Sequence, residues 1–265
     1  MLVWWKIIIL GIVEGLTEFL PISSTGHLLI AANWLHIAEG PAKETFVIFI
    51  QLGAILAVIG YYLQDLLAQV RSVVHDRVTQ RFWLNIIVAF LPAAVIGLLF
   101  QKKIKAILFE SPHVIAWAFI IGGIVLLAVE LLPKRIATTK EMLKITLPQA
   151  IYTGLAQVLA LVPGVSRSGA TIVGGMLAGV DRAAATRFSF YLAIPVLVSA
   201  TGYDLLKSMH QLSSSDLSGL ALGLVVAMIT AWISIGWLLR YVANHTFIPF
   251  GIYRILAGLL ILWLM

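Results

Sequence analysis

The pattern of apolar and polar positions along the chain predicts a helical protein embedded in a lipid bilayer. A helix needs about 20 consecutive, mainly apolar residues to cross the hydrocarbon layer. The chain contains six apolar runs near that length, at about 45–64, 82–100, 113–132, 188–206, 217–239 and 247–265. We therefore predict an all-α integral membrane protein with six full transmembrane helices.

Two further stretches are apolar but are interrupted by polar residues. They cover residues 2–32 and 147–180, and each contains a proline followed by a hydroxyl-rich segment. Each interruption leaves two apolar pieces of roughly 10–15 residues, which are too short to cross the bilayer. Non-helical backbone at this depth is tolerated only where protein or a water-filled cavity surrounds it. Each stretch is therefore predicted to form a re-entrant helical hairpin.

The two interrupted stretches match each other at a spacing of 143 residues, without a gap. The matched positions are Gly11 with Gly154, Glu14 with Gln157, Ser23 with Ser166, Thr25 with Ser168 and Gly26 with Gly169. Three full spans separate the copies, so the second hairpin enters from the opposite face. The sequence thus predicts a single membrane domain, residues 1–265, with an inverted repeat over about 1–110 and 147–265. Paired broken helices of this kind point to a site near the bilayer midplane.

Composition narrows the chemistry that the chain can carry. Hydrophobic residues make up 61% of the chain and charged residues 11%, whereas a soluble domain carries about 25% charged residues. Because the chain has no cysteine, it has no disulfide, no thiolate nucleophile and no cysteine-ligated metal. Ser, His, Asp, Glu and Arg remain for catalysis.

The net charge of +6 indicates membrane orientation rather than a nucleic-acid partner, because the basic residues lie in short loops between apolar runs. Ten basic residues fall on one side of the predicted topology, namely Arg71, Arg77, Arg81, Lys134, Arg135, Lys140, Lys144, Arg182, Arg187 and Arg240. Six fall on the other side, namely Lys6, Lys43, Lys102, Lys103, Lys105 and Lys207. The positive-inside rule puts the larger group in the cytoplasm, so both termini and the first hairpin face the exterior.

The first interrupted stretch carries two carboxylates on one helix. Glu14 and Glu18 are four residues apart, so they share a helix face and lie close enough to repel each other. Burying both in an apolar segment is costly unless they share a proton, bind a cation or face a wet cavity. The alternative is an interfacial helix whose acidic side chains reach water outside the bilayer. The polar residues that follow favour a site, with Glu14 and Glu18 as candidate catalytic residues and metal ligands.

A hydroxyl-rich segment follows these acids. Pro21 ends the first short helix, and Ser23 or Ser24 is placed to cap a second helix that begins near Thr25. His27 then lies in the first turn, within reach of the Ser24 hydroxyl. A hydroxyl beside an imidazole is the minimal pair for an activated nucleophile. Ser24 and His27 are therefore candidate catalytic residues, although a lone histidine near a helix start is often purely structural.

The second interrupted stretch predicts an anion site. Pro163 and Gly164 precede a hydroxyl-rich helix start, where backbone N–H groups and the helix dipole favour negative charge. Arg167, a candidate catalytic residue, adds a permanently charged fork that suits phosphate oxygens; the alternative is that it reaches out to the membrane interface. The candidate substrate-binding residues of the two stretches are Ser23, Thr25, Ser166, Arg167, Ser168 and Thr171.

The two hairpin tips, brought together near the midplane, carry an excess of negative charge once a phosphate substrate binds. A diphosphate bears about two to three negative charges near neutral pH, whereas Arg167 supplies one positive charge. Ionised Glu14 and Glu18 add to the repulsion. We therefore expect a hard, oxygen-ligated divalent cation, Mg²⁺ or Ca²⁺, at this site.

Two segments resemble a known family. EGLTEFLPISSTGH at 14–27 and PGVSRSGAT at 163–171 resemble the signature segments of the bacterial undecaprenyl-diphosphatase, or bacitracin-resistance, family. FSFYLAIP at 188–195 and FIPFGIYR at 247–254 extend the resemblance to essentially the whole chain. Carried over by motif, the functional positions are Glu14, Glu18, Ser24, His27, Ser166, Arg167 and Ser168.

The resemblance implies a multi-pass phosphatase of the bacterial inner membrane that converts undecaprenyl diphosphate to the monophosphate. This reaction recycles the lipid carrier of cell-wall synthesis and opposes bacitracin, which sequesters the diphosphate. The resemblance also implies dependence on a divalent cation, inverted repeats with re-entrant helices and an active site open to the exterior. Self-association as a homodimer is a further expectation.

The sequence leaves the identity of the nucleophile open. Arg167 and the second helix start would hold phosphate oxygens, while Glu14 and Glu18 would hold the cation. The nucleophile is Ser24 activated by His27, His27 itself, or a water molecule that His27 activates, because phosphoryl transfer needs mainly positioning and charge stabilisation in each case. A lipid-phosphate transporter or flippase on the same inverted-repeat scaffold is the alternative function, although a carrier has no need of a nucleophile.

Overall fold

Eleven α-helices make up most of the described part of the chain. The structure, a computed structural model, describes residues 3–37, 40–104, 111–131, 137–208 and 217–264. The helices are α1 (Trp4–Thr17), α2 (Ser24–Trp34), α3 (Pro41–Tyr61), α4 (Leu63–Ser72), α5 (Arg77–Ile104), α6 (Pro112–Leu131), α7 (Leu147–Val158), α8 (Arg167–Leu177), α9 (Arg182–Ser208), α10 (Leu217–Asn244) and α11 (Ile248–Leu264). Short 3-10 turns, Met142–Lys144 and Leu159–Leu161, lie on either side of α7. The predicted all-α class is confirmed for these residues.

Four helices, α5, α6, α9 and α10, are long and apolar enough to cross a membrane. They cover the predicted spans at 82–100, 113–131, 188–206 and 217–239, while the predicted end residues 132 and 265 lie outside the described ranges. A fifth candidate is the pair α3 and α4, which is bent by 64°. The last predicted span corresponds to α11, a shorter apolar helix of 17 residues. The described residues therefore form a multi-pass membrane protein with four or five candidate spans.

Large apolar side chains are exposed along these helices. Trp117 and Ile121 on α6, and Leu256 and Trp263 on α11, are each more than half exposed. A contiguous apolar surface of this kind is unfavourable in water and fits the hydrocarbon of a bilayer. The outward faces of the bundle therefore agree with the membrane location that the composition predicts.

Each interrupted stretch forms two short helices separated by a break. The first break (residues 18–23) lies between α1 and α2, and the second break (residues 162–166) lies before α8. Ser23 and Ser166, which match each other in the predicted repeat, both have a positive φ, of 73° and 77°. Residues other than glycine rarely adopt this backbone conformation, and its cost must be offset by the surrounding structure. Strain of this kind clusters at functional sites.

The two helix starts are capped differently. α2 begins at Ser24, one residue earlier than predicted, and the side chain of Ser23 forms no capping bond. The carbonyl of Ser23 instead accepts the backbone N–H of His27 at 3.3 Å. At α8 the predicted cap forms, because Oγ of Ser166 accepts the backbone N–H of Gly169 at 3.1 Å. The hydroxyl of Ser23 thus forms no capping hydrogen bond with α2.

Small residues let the short helices approach the long ones closely. Gly11 and Gly15 of α1 lie directly against α10, where an added Cβ would collide with α10 atoms such as those of Thr230. Gly154 of α7 lies in the same way against Ala89 of α5. Close contact between small residues is how helices associate in a membrane, where no hydrophobic driving force acts between them. α1 therefore packs on α10 and α7 packs on α5, so each short helix lies against a long helix from the other half of the chain.

An apolar core surrounds the region where the two breaks approach each other. Phe19 of the first break packs edge to face with Phe190 of α9, with ring centroids 5.2 Å apart. Ile22 of the first break and Ile172 of α8 are buried in the same cluster. Because close-packed interiors deform little, this core holds the polar tips of both stretches in a defined arrangement.

A partly buried ion pair connects three parts of the bundle. Arg182 at the start of α9 binds Glu130 near the end of α6 at two points, with Nε–Oε1 and Nη2–Oε2 distances of 2.7 and 2.5 Å. The Oε1 atom also accepts the backbone N–H of Phe247, and Arg182 donates to the carbonyl of His245. Arg182, counted above as a loop charge that sets orientation, therefore also fastens α6 and α9 to the connection between α10 and α11.

Candidate active site

An ion pair joins the two breaks. Nη2 of Arg167, the first residue of α8, lies 3.1 Å from Oε1 of Glu18 in the first break. The hydroxyl of Ser168 donates to the carbonyl of Leu20 at 2.7 Å. Two predicted site residues from opposite halves of the chain are therefore in direct contact, and a polar site lies where the breaks meet.

The guanidinium of Arg167 is held inside the protein. Nη1 donates to the carbonyl of Ser189 at 3.0 Å and lies 3.5 Å from the Ser189 hydroxyl. The guanidinium carbon lies 5.8 Å from the centre of the Phe19 ring, and the side chain is only 11% exposed. The structure therefore contradicts the alternative in which Arg167 extends to the membrane interface. Its Nε atom is buried and has no hydrogen-bond partner within the described residues.

The hydroxyl of Ser24 contacts a carboxylate. Oγ of Ser24 donates to Oε2 of Glu18 at 2.5 Å. Since the other oxygen of Glu18 faces Arg167, the three side chains form a continuous chain from hydroxyl to carboxylate to guanidinium. Both Ser24 and Glu18 are buried. This arrangement places the hydroxyl of Ser24 and the carboxylate of Glu18, a proton acceptor, next to the guanidinium of Arg167, a group that suits phosphate oxygens.

The predicted pairing of Ser24 with His27 is not the pairing that the structure has. Nδ1 of His27 lies 2.7 Å from the carbonyl oxygen of Ser23, and Nε2 lies 2.6 Å from the hydroxyl of Tyr253. The physical reason is the start of α2 at Ser24, which places the His27 ring over the carbonyl one turn earlier. Ser24 turns instead to Glu18, whose charge makes it the stronger acceptor.

Glu14 is the least satisfied polar residue of the site. Its side chain is fully buried, and neither carboxylate oxygen has a hydrogen-bond partner within the described residues. A buried carboxylate without a partner is costly, and its free oxygens are the ligands that hard divalent cations prefer. The described residues contain no group of three or more His, Asp or Glu side chains placed to hold a metal. Glu14 is thus a buried carboxylate with two unpartnered oxygens, and the predicted cation site at Glu14 and Glu18 stays a prediction.

The hydroxyls at the start of α8 bond to one another and to Arg167. Oγ of Ser166 lies 3.0 Å from Oγ of Ser168. Thr171 donates to the carbonyl of Arg167 at 2.9 Å and lies 2.7 Å from the hydroxyl of Ser189. These predicted substrate-binding residues therefore shape the backbone that carries Arg167. Thr25, by contrast, lies half-buried in the first turn of α2.

Arg254 holds both breaks together, a role that spacing alone did not reveal. Its side chain is 1% exposed and donates at 2.8 to 3.4 Å to the carbonyls of Pro21, Gly164, Val165, Ala118 and Phe119. These carbonyls belong to the first break, the second break and α6. A buried positive charge with carbonyl partners leaves net positive potential beside the site.

Ser189 and Tyr253 are two further residues that sequence reasoning did not assign. Ser189 on α9 contacts Arg167 and Thr171, and Tyr253 on α11 contacts His27. Each lies in one of the two lesser family segments, at 188–195 and 247–254. The resemblance of those two segments to the family was the sequence feature that could have indicated Ser189 and Tyr253. Only the packing of α9 and α11 shows which residues they contact.

Comparison with known proteins supports the family resemblance. The sequence model of the family described as bacitracin resistance protein BacA matches residues 7–260. A protein of Deinococcus radiodurans named undecaprenyl-diphosphatase is 47% identical over 263 residues, which cover 98% of this chain and 94% of that protein. A protein of Polaromonas naphthalenivorans with the same name is 49% identical over 260 residues, covering 97% of this chain and 93% of that protein. The chain therefore belongs to the bacitracin resistance protein BacA family.

Proposed function

We propose that the chain is an undecaprenyl-diphosphatase, which hydrolyses the terminal phosphate of the C55 isoprenyl diphosphate and so regenerates the monophosphate carrier lipid of cell-wall synthesis. The observation that carries the proposal is the contact of Glu18 with both the Ser24 hydroxyl and the Arg167 guanidinium. A carrier that only binds phosphate needs the guanidinium but not the hydroxyl–carboxylate pair. The relatives at 47% and 49% identity carry the name of this activity.

Phosphate binding falls to Arg167 and the start of α8. The guanidinium of Arg167 contacts Glu18 of the first break and stands at the positive end of α8, and both groups favour phosphate oxygens. Arg254, which stays bonded to the carbonyls of the two breaks, adds positive potential beside the site. Preorganised positive groups of this kind stabilise the charge that develops during phosphoryl transfer.

Ser24 is the nucleophile that the contacts favour among the three open choices. Its oxygen attacks the terminal phosphorus, its proton passes to the Glu18 oxygen 2.5 Å away, and the bond to the bridging oxygen breaks to release the monophosphate. Water then cleaves the phosphoserine and releases inorganic phosphate. His27, which forms hydrogen bonds with Ser23 and Tyr253, is left to exchange protons with water or with the leaving group.

A divalent cation, Mg²⁺ or Ca²⁺, is part of the proposal. The residues fit such an ion, because Glu14 has two buried oxygens without partners and Glu18 follows one turn later. Glu14 and Glu18 would hold the ion, and substrate oxygens and water would complete its ligands. Its chemistry would be to neutralise negative charge on the diphosphate.

We further propose six spans and two re-entrant hairpins in an inverted repeat, with the site opening to the exterior of a bacterial inner membrane. The matching backbone of Ser23 and Ser166 and the reciprocal packing of α1 on α10 and α7 on α5 support the repeat. The distribution of Lys and Arg supports the orientation. A homodimer stays a prediction.

Phosphate release from undecaprenyl diphosphate by the purified protein in detergent tests the function. We expect release in the presence of Mg²⁺ or Ca²⁺, its loss with EDTA, and its loss in Arg167→Ala. Arg71→Ala, which removes an exposed arginine of α4, is the matched control and should retain activity. A well-folded parent that releases no phosphate would contradict the proposal and favour the lipid-phosphate transporter.

A further inference from the structure

His27 is held at both ring nitrogens. Nδ1 lies 2.7 Å from the carbonyl oxygen of Ser23, and Nε2 lies 2.6 Å from the hydroxyl of Tyr253. The rings of His27 and Tyr253 are stacked, with centroids 5.7 Å apart and planes inclined by 7°. The position and orientation of the imidazole are therefore fixed by Ser23 and Tyr253, two residues far apart in the chain.

These contacts define which nitrogen of the neutral ring is basic. A carbonyl oxygen only accepts hydrogen bonds, so Nδ1 must carry the proton that it shares with Ser23. A neutral imidazole has one N–H group, so Nε2 carries the lone pair and accepts the hydroxyl proton of Tyr253. The Ser23 carbonyl thus selects the tautomer, and the bond from Tyr253 holds the basic lone pair toward α11.

α11 brings this bond to the phosphate-binding region. Tyr253 is followed by Arg254, whose guanidinium donates to carbonyls of both breaks. Neighbouring elements bring charged side chains to this part of the site, namely Arg254 on α11, Glu18 in the first break and Arg167 on α8. Arg254 is bonded to carbonyls, and Glu18 to Ser24 and Arg167, whereas His27 is bonded to Tyr253. α11 therefore carries both the residue that holds the basic nitrogen and the arginine that holds the two breaks together.

We propose that Tyr253 is a positioning residue, whose hydroxyl holds Nε2 of His27 as the basic atom and fixes the orientation of the ring beside the first break. The inference rests on the proposed phosphatase function, since it assigns His27 a proton-transfer role there. Tyr253 acts through His27 and not on the substrate. Its loss therefore lowers the rate of the chemical step and leaves substrate binding nearly unchanged.

Tyr253→Phe removes the hydroxyl but retains the ring that stacks on His27. We expect kcat for phosphate release to fall roughly tenfold to a hundredfold, as when a catalytic group is misplaced, with KM within about twofold of the parent. Tyr152→Phe, which alters an exposed tyrosine on α7, is the matched control and should keep both constants. A Tyr253→Phe variant with unchanged kcat, or with only KM raised, would overturn the proposal.

Acylation of histidine by diethyl pyrocarbonate gives a second readout that needs no activity. The reagent attacks an imidazole lone pair, so loss of the Tyr253 hydroxyl should speed acylation of His27 several-fold in Tyr253→Phe. His36 is an internal reference, because it is exposed and its Nδ1 likewise lies near a carbonyl, that of Trp34, at 2.9 Å. Site-resolved mass spectrometry should show an unchanged rate at His36.

The two readouts separate failure of this inference from failure of the proposed function. If the parent releases no phosphate, the phosphatase is wrong, and a proton-transfer role for His27 is lost with it. If the parent is active and His27 acylates at the same rate in Tyr253→Phe as in the parent, the hydrogen bond does not hold Nε2 and the inference is wrong. An active parent with slower catalysis and faster acylation in the variant supports it.

Discussion

Arg167 and Glu18 are 149 residues apart in the chain, yet Nη2 of one lies 3.1 Å from Oε1 of the other. The same carboxylate accepts the hydroxyl of Ser24. This ion pair joins the two breaks. In the proposed site it also joins Arg167, which binds phosphate, to Glu18 and Ser24, which take part in the reaction. When residues act as one unit, removing either member already loses most of the activity, and removing the second member adds little.

We therefore expect non-additive effects at this junction. Glu18→Gln and Arg167→Ala should each lower kcat/KM about a hundredfold or more, and the double variant should lose little beyond the worse single variant. The measurement is phosphate release by the four proteins at equal folded concentration. Multiplicative losses in the double variant would show that the two residues act independently.

Ser24→Ala should lower phosphate release by about a thousandfold or more, because it removes the proposed nucleophile and not only a binding group. When the reaction of substrate labelled in its terminal phosphate is quenched with sodium dodecyl sulfate at neutral pH, where phosphoserine and phosphohistidine both survive, the label should lie on Ser24. Ser23→Ala is the neighbouring control and should still become labelled. Label found on His27 would establish the histidine as the nucleophile, and an unlabelled, active protein would favour direct attack by water.

Glu14→Gln should weaken the response to the divalent cation. The neutral amide keeps the shape of the side chain but removes the charge that a hard cation requires, so half-maximal activity should need about tenfold more Mg²⁺ or Ca²⁺. Glu141→Gln alters a carboxylate that is 65% exposed and should leave the titration unchanged. An unaltered cation requirement in Glu14→Gln would remove Glu14 from the proposed metal site.

Glu130→Ala should destabilise the fold without touching the site. It leaves Arg182 without its two-point partner in a partly buried cluster, where loss of one member of an ion pair costs between about 1 kcal/mol, the surface value, and about 3 kcal/mol, the buried value. The exposed pair of Lys144 with Glu141, at 2.7 Å, gives a matched comparison, because loss of a surface pair costs below about 1 kcal/mol. Thermal unfolding in detergent should show a much larger fall in Tm for Glu130→Ala than for Glu141→Ala. Equal falls would contradict the anchoring role.

Asp76, which lies between α4 and α5, should contribute stability that depends on pH. The hydroxyl of Thr79, together with the backbone N–H groups of Thr79 and Val78, lowers the pKa of Asp76 from its ordinary value of 3.8. Because the folded pKa is the lower one, this stabilisation is complete above about pH 3.8 and is lost as the pH falls through the folded pKa. Asp76→Ala should therefore lower Tm at pH 7, with a smaller difference from the parent at pH 3. A difference that stays constant would contradict the prediction.

Local features of the sequence predicted most of the architecture because they act over short distances. Apolar runs near 20 residues predicted four helices that the structure confirms as candidate spans, and the stretch at 45–64 proved to be part of a helix pair bent by 64°. Pro21 and Pro163 marked the two breaks because each stands beside a run of hydroxyl and glycine residues, whereas Pro92 and Pro195, in apolar surroundings, lie inside α5 and α9. The motif residues could also be named in advance, since each break concentrates its polar side chains within a few positions.

The sequence by itself determined the helical membrane class, the two breaks and the inventory of reactive groups, because hydrophobicity, proline geometry and motif composition are properties of neighbouring residues. Only the tertiary structure decided which site residues contact each other. Ser24 donates to Glu18 instead of His27, and His27 contacts Tyr253 over a separation of 226 residues. Such contacts depend on how α9 and α11 pack against the breaks. A hydrogen bond requires its two atoms to lie within a few tenths of an ångström of the right distance, and the spacing of residues along the sequence does not give positions to that precision.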